Sequence, residues 1–158
     1  DQYVAELASL KARDISVINT DAWVLGADTI VVLDNRILEK PADRNEAVGM
    51  LTELSGREHI VYTAFCLCHK QQNRVVEKTV ETQVRFRDLT RREIDWYADT
   101  GEPFDKAGAY AIQGLGTFLV KSIHGSYTNV VGLPVCEVIE VLIQEGVVGF
   151  GENYKKRS

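Results

Sequence analysis

The sequence predicts an α/β protein in which helices flank a mixed twisted sheet, and two observations support this fold class. Valine and isoleucine together number 29 against 13 leucines, a balance that favours a protein rich in strands. Strand patterns and helical patterns also alternate along the chain, and two long strand patterns follow one another across the short polar connection KQQNR. Those two strands form a hairpin, which adds antiparallel pairing to the sheet and makes it mixed.

The first half of the chain predicts a helix, a strand and a second helix in that order. Tyr3, Leu7 and Leu10 lie at helical spacing and indicate the apolar face of the first helix. Residues 23–33 (WVLGADTIVVL) are apolar on both faces, as in a buried central strand, and a tight turn at 34–36 returns the chain. Asp43 and Glu46 then form a capping box that begins a helix ending at residue 56.

The second half begins with the hairpin, whose strands cover residues 59–69 and 75–86. Thr90 and Glu93 repeat the capping-box pattern and begin a helix that stops at Gly101. A glycine-rich region, AGAYAIQGLG, leads to a strand over residues 117–123. The last helix begins at Leu133-Pro134 and ends at residue 146. Its predicted apolar face consists of Val135, Val138, Ile139 and Leu142.

Length and charge limit the domain organisation and the possible partners. The 158 residues fit one domain, 1–150, followed by a polar tail, 151–158. The net charge of −5 argues against a general nucleic-acid binder, although it does not exclude a small anionic ligand held by lysines. The absence of an apolar run of about 18 residues excludes a spanning helix and a membrane partner. The chain opens inside a helical pattern without an initiator methionine, so we expect that a segment before it is missing.

The three cysteines indicate a reducing compartment rather than a disulfide framework. Their number is odd and their spacing unpaired. Cys66 and Cys68 precede His69, which suggests a metal site. However, Cys66 and Cys68 alternate with Leu67 along a strand and so face the same side of the sheet. Free cysteines are usually buried, so both are better explained as core residues. With no export signal, we expect a cytoplasmic protein.

Asp28 is the most informative polar residue, since it lies in the middle of an apolar strand. Burying a carboxylate without a partner is costly, so a bound cation, a lysine or a position at a cleft must compensate its charge. The alternative is a structural aspartate that caps a nearby turn.

Two lysines and a glutamine form a second set of candidates. Lys40 in EKPAD and Lys106 in FDKAGAY stand beside proline or small residues and are suited to hold phosphate oxygens as point charges. Gln113 in AIQGLG carries an amide that both donates and accepts, as recognition of a base edge requires. Each also has a simpler explanation as a solvated surface residue. Together with Asp28 they supply the minimum for a metal–phosphate site.

Several motifs of this chain resemble those of the Maf, or septum-formation, family of nucleotide pyrophosphatases. They are GADTIVV (26–32), EKPAD, LSGREHIVYTA (54–64), FDKAGAYAIQG (104–114) and IHGSYTNVVGLP (123–134), and they match in order and spacing. The resemblance covers residues 1 to about 146. It implies an α/β fold similar to that of the inosine-triphosphate pyrophosphatases, with two lobes around a cleft.

The resemblance also implies an activity and roles for individual residues. The activity is hydrolysis of a nucleoside triphosphate to the monophosphate and pyrophosphate with Mg²⁺ or Mn²⁺, and the DKAGAY…IQG form looks like the subgroup acting on dTTP and UTP. Asp28 would be the proton acceptor and touch the metal, Thr29 and Gln113 match specificity positions, and Lys40 and Lys106 would contact phosphates. A homodimer is implied as well.

This sequence departs from the family pattern in two respects. Family members begin with a strand and a Ser-x-Ser-Pro-Arg-Arg phosphate loop, followed by a glutamate that assists the metal, and these would lie before residue 1. Within the chain, Glu39 and Ala111 stand where glycine is common, and the first change bears on the turn that carries Lys40.

Two other functions remain open at this point. One is a nucleotide-binding regulator of cell division and septum formation that binds triphosphates without turnover. The other is a structural oligomeric domain whose melting temperature no triphosphate would raise.

Overall fold

The computed structural model describes residues 2–149, in which five strands form one sheet with helices on both faces. The strands are β1 (Trp23–Leu33), β2 (Arg36–Leu38), β3 (Glu58–His69), β4 (Arg74–Phe86) and β5 (Val120–His124). The α-helices are α1 (Gln2–Ser16), α2 (Arg44–Leu54), α3 (Arg91–Asp99), α4 (Tyr127–Val131) and α5 (Val135–Gln144). This confirms the α/β prediction. The tail predicted at 151–158 lies outside the described residues.

The sheet runs in the order β2-β1-β3-β4-β5, and every pairing among residues 2–149 is antiparallel. The predicted hairpin of β3 and β4 is confirmed, but the described residues contain no parallel pair. The central strand is β3, not β1 as its apolar sequence indicated. Because β2 pairs only with residues 31–33, one edge of β1 carries no partner strand over residues 23–30 in the described structure.

Both predicted capping boxes begin helices. The Asp43 side chain accepts from the N–H of Glu46 at 2.9 Å, whereas the Glu46 carboxylate accepts from Ala42, one residue earlier than the motif requires. At α3 both reciprocal bonds between Thr90 and Glu93 are present. Hydrogen bonds from Arg87 and Thr90 lower the pKa of Glu93 to about 2, so this cap stays charged.

The predicted apolar face of α1 is wrong. Tyr3 and Leu10 are exposed, and the helix buries the small residues Val4, Ala8 and Ala12 against the sheet. The reason is a close approach at Gly26, where an added Cβ would lie 2.5 Å from the carbonyl oxygen of Ala8. Close contact between helix and strand selects small side chains over large ones.

The C-terminal third differs from the prediction in three respects. A 3₁₀ helix, Gly114–Leu119, occupies the start of the predicted strand at 117–123, so β5 begins at Val120. The short helix α4 was not predicted. In α5 the buried positions are Val138 and Val141, whereas Val135 is exposed.

Two hydrophobic clusters lie on the face of the sheet opposite α1 and form the two predicted lobes. The larger joins α2 and α3 to one end of the sheet around Leu51, Phe86 and Tyr97. The smaller joins α5 to the other end through Phe65 and Val141. The cleft that contains the candidate site lies between them.

The prediction that the two neighbouring cysteines are buried core residues is confirmed. Cys66 and Cys68 are buried free thiols packed against α1. Within residues 2–149 no helix has both the length and the apolar character needed to cross a bilayer.

Candidate functional site

All five residues selected from the sequence line one cleft of about 390 Å³. They come from three separate segments: Asp28 and Thr29 from β1, Lys40 from the loop after β2, and Lys106 and Gln113 from the loops between α3 and β5. The cleft also contains Lys11, which the sequence analysis did not select. The fold therefore brings together side chains that lie between positions 28 and 113 of the sequence.

Asp28 has the partner that its position in an apolar strand requires. The ammonium group of Lys11 lies 2.5 Å from its Oδ1, and the carboxylate side chain retains 18% exposure. Lys11 follows Ala8 by three residues on α1 and so shares the face that packs on the sheet. That spacing from the small buried residues is the signal that would have identified Lys11, had the correct face of α1 been recognised.

The hydroxyl group of Thr29 has a defined hydrogen-bond direction. It lies 2.8 Å from the hydroxyl of Thr63, which in turn donates to the carbonyl oxygen of Asn129 at 2.9 Å. A hydroxyl carries one hydrogen, so Thr29 must donate to Thr63. If Thr63 donated to Thr29 instead, the lone pairs of its oxygen would face those of the Asn129 carbonyl oxygen in a fully buried position. Thr29 therefore presents acceptor lone pairs to the cleft.

Asn129 anchors this arrangement to the sheet. It is fully buried, and its amide nitrogen donates to the carbonyl oxygen of Val61 and to the hydroxyl of Thr82. Its backbone N–H is held by the Ser126 hydroxyl that caps α4. The SYTN motif thus fixes the wall of the cleft next to Thr29.

Lys40 and Lys106 also line the cleft, and a backbone hydrogen bond joins the segments that carry them. The carbonyl oxygen of Glu39 accepts from the N–H of Gly108 at 3.1 Å, which joins the two lysine-bearing segments. Gly108 lies in close contact with β1. An added Cβ would lie 2.9 Å from Val31, so this glycine serves close packing on β1.

Asp105 is a second carboxylate of the cleft that the sequence analysis did not select. It lies 2.8 Å from the ammonium group of Lys106, and this hydrogen bond, assisted by the charge of Lys40, lowers the pKa of Asp105 below its usual value. The Lys106 ammonium group is therefore paired with a carboxylate, and a bound polyanion would compete with Asp105 for it.

Gln113 lies at an exposed position on the rim of the cleft, and its amide makes no hydrogen bond within residues 2–149. Its donor and its acceptor are both available to a ligand. Tyr110 also lines the cleft and is held by a 2.8 Å hydrogen bond to buried His59. Burial lowers the pKa of His59 to about 4, so the imidazole is neutral at physiological pH.

The donor set suits a hard divalent cation held jointly with a ligand. Within the described residues there is no group of three acidic, histidine or cysteine side chains that would hold a metal alone. Mg²⁺ is commonly bound by one or two carboxylates together with substrate phosphates and water. Asp28 and Asp105 are of that kind and line the same cleft.

The cleft is lined by three lysines, two aspartates and the polar side chains of Thr29 and Gln113. These groups define a class of protein: an α/β protein with a cleft for a small polyanion. Comparison with known sequences is more specific. The profile of the Maf family, described as Maf-like protein, matches residues 1–145, and the chain belongs to this family.

Curated relatives agree with the family assignment. A dTTP/UTP pyrophosphatase of Syntrophus aciditrophicus is 47% identical over 156 residues, which cover 99% of this chain and 76% of the relative. Proteins of the same name from Halalkalibacterium halodurans and Symbiobacterium thermophilum are 51% and 52% identical; the matches cover 92% of this chain and 76% and 74% of those proteins. The resemblance stated from the motifs is confirmed.

Proposed function

We propose that the protein hydrolyses dTTP and UTP to the nucleoside monophosphate and pyrophosphate. The observation that carries this proposal is the cleft itself, which Asp28, paired with Lys11, lines together with Lys40 and Lys106. The names of the relatives support the substrate class, since these proteins are dTTP/UTP pyrophosphatases.

The proposed reaction is an in-line displacement at the α-phosphorus. A water attacks this atom, the bond to the oxygen bridging the α- and β-phosphorus breaks, and pyrophosphate leaves. Asp28 accepts the proton of the attacking water. The lysines stabilise the negative charge that develops on the leaving pyrophosphate.

We further propose that Asp28 holds Mg²⁺ or Mn²⁺, with Asp105 as the second carboxylate of the cleft. When bound, the cation would neutralise part of the triphosphate charge and favour ionisation of water. The Lys11 ammonium group occupies one side of Asp28, so only the remaining oxygen lone pairs of that carboxylate are open to the cation or the water.

The base is proposed to lie between Thr29 and Gln113. Uracil and thymine present a ring N–H flanked by two carbonyl oxygens. The acceptor lone pairs of Thr29 suit the N–H, and the Gln113 amide suits a carbonyl. A homodimer, a cytoplasmic location and a single catalytic domain over residues 1–150 belong to the same proposal.

Product analysis tests this function. The full-length protein is incubated with Mg²⁺ and each of dTTP, UTP, dATP and dGTP, and the products are separated by ion exchange. We expect monophosphate and pyrophosphate in equal amounts, fastest from dTTP and UTP. Diphosphate and orthophosphate would refute cleavage at the α-phosphorus, and tight binding without products would instead indicate the regulator of cell division.

A further inference from the structure

The segment that carries Gln113 is held on both sides by two residues that do not line the cleft, Tyr97 and Glu102. We call residues 111–116 the Gln113 loop. Tyr97 lies in α3, and Glu102 begins the 3₁₀ helix Glu102–Asp105 that follows it. The two side chains therefore connect the frame of the larger lobe to the rim of the cleft.

Four hydrogen bonds make this connection. The Tyr97 hydroxyl accepts from the N–H of Ala111 at 3.1 Å and donates to Oε1 of Glu102 at 2.8 Å. Glu102 then accepts from the N–H groups of Leu115 at 3.0 Å and Gly116 at 2.9 Å. Gln113 thus lies between two backbone attachment points that share one carboxylate.

The packing around these bonds leaves no room for movement of the loop toward its support. A Cβ added to Gly116 would lie 2.5 Å from the Tyr97 hydroxyl, and one added to Gly114 would lie 2.7 Å from Oε2 of Glu102. Both glycines therefore lie directly against the two clamping side chains. Tyr97 itself is fully buried, so its hydroxyl has a fixed place.

The protonation states of Tyr97 and Glu102 suit these hydrogen bonds. Burial raises the pKa of Tyr97, so its hydroxyl keeps the proton that it donates. Partial burial opposes the charge of Glu102, but the N–H of Leu115, the Tyr97 hydroxyl and the N–H of Gly116 outweigh it and lower the pKa of Glu102. Three donors converge on this side chain, and a carboxylate can accept all of them.

We propose that Glu102 is a positioning residue for base recognition, which acts through the Gln113 loop and does not itself touch the nucleotide. This inference rests on the proposed function, because it assigns Gln113 to the base. Fixing the backbone on both sides of Gln113 lowers the entropy that its amide loses when it binds the base. Loss of the clamp weakens nucleotide binding and base selectivity, whereas the chemistry at Asp28 lies on another segment.

Glu102→Gln is the first variant, because it keeps the size of the side chain but replaces one acceptor oxygen with a donor group. We expect the KM for dTTP and UTP to rise about tenfold, with kcat within about threefold of wild type. The ratio of kcat/KM for dTTP to that for dATP falls by a similar factor. Tyr97→Phe removes the hydroxyl that bridges Ala111 and Glu102, and it changes the same parameters in the same direction.

The matched control is Glu145→Gln, which disturbs another hydrogen-bonded carboxylate, paired with Arg74 and outside the cleft. It keeps the wild-type KM and selectivity. In a Gln113→Ala background, Glu102→Gln produces no further loss of selectivity, because the clamp acts only through Gln113. Melting temperatures are recorded for every variant to show that it folds. If Glu102→Gln does not fold, Tyr97→Phe tests the proposal instead.

The proposal is overturned if Glu102→Gln and Tyr97→Phe lower kcat/KM for dTTP and dATP by the same factor, since that result indicates a purely structural role. It is equally overturned if the losses from Glu102→Gln and Gln113→Ala simply add. Equilibrium binding of α,β-imido-dTTP and α,β-imido-dATP gives the same comparison without turnover. A wild-type protein that binds these analogues but forms no products from dTTP or UTP refutes the proposed function and leaves the clamp testable by the ratio of the two binding constants.

Discussion

At the scale of single residues, the charge of Asp28 explains more of the site than any other feature. A carboxylate in an apolar strand predicts a compensating group, and the structure supplies Lys11. Asp28 could be selected from the sequence because its surroundings are unusual. Lys11 could not, because a lysine on a helix resembles any solvated lysine until the packing of that helix is known.

Lys11→Gln tests the role of this lysine. Because the pair is partly exposed, its loss changes stability by less than about 1 kcal/mol. Its loss removes a positive charge beside the reacting groups, so we expect kcat/KM for dTTP to fall about a hundredfold. Exposed Lys121 on β5 provides the control, and Lys121→Gln should retain full activity. Equal activity of Lys11→Gln and wild type would exclude Lys11 from the site.

His59 makes stability depend on pH. Its pKa is about 4 in the folded protein against 6.5 for a solvated histidine, so the unfolded chain binds the proton first as the pH falls. Stability is therefore lost progressively from about pH 6.5 down to pH 4, by about 3 kcal/mol in total. Urea denaturation at several pH values should show this slope in wild type and its loss in His59→Gln. A slope unchanged in His59→Gln would contradict the assignment.

At the scale of helices and strands, the residues at which helices begin could be predicted from the sequence. The helix face that packs against the sheet could not. The capping residues Asp43 and Thr90 mark helix starts because the signal is local. The face of α1 depends on Gly26, which lies outside the helix, and the late start of β5 depends on bonds that Thr117 makes to the turn before it. The first is a contact between two segments and the second consists of local hydroxyl bonds around a 3₁₀ turn, and the apolar periodicity of one element reports neither.

Gly26→Ala tests the contact between α1 and β1. Its Cβ would meet backbone atoms of Ala8 and Ala12 at 2.5 and 2.6 Å, and these cannot move without shifting the helix. We expect a loss of about 1–3 kcal/mol in the free energy of unfolding. Gly49→Ala in α2 is the matched control, because its Cβ meets nothing within 4 Å and alanine should stabilise the helix. Equal stabilities of the two variants would contradict the packing described here.

At the scale of the whole molecule, two lobes on one face of the sheet leave a cleft between them, and α1 supports the other face. The five residues selected from the sequence meet in that cleft although Asp28 and Gln113 are far apart in the chain. Residue chemistry and motif resemblance were sufficient to select them. Their convergence, the second carboxylate Asp105 and the clamp at Glu102 follow from the tertiary structure and were not predictable from spacing.

Pyrophosphate release from dTTP by the Asp28→Asn variant is the most direct test of catalysis in this cleft. Asp34→Asn is its control, because Asp34 is an exposed aspartate in a turn, paired with Arg57 and outside the cleft. We expect the Mg²⁺-dependent turnover of Asp28→Asn to fall by at least about a hundredfold, with Asp34→Asn at the wild-type rate. Unchanged turnover in a folded Asp28→Asn protein would contradict the catalytic role of this site.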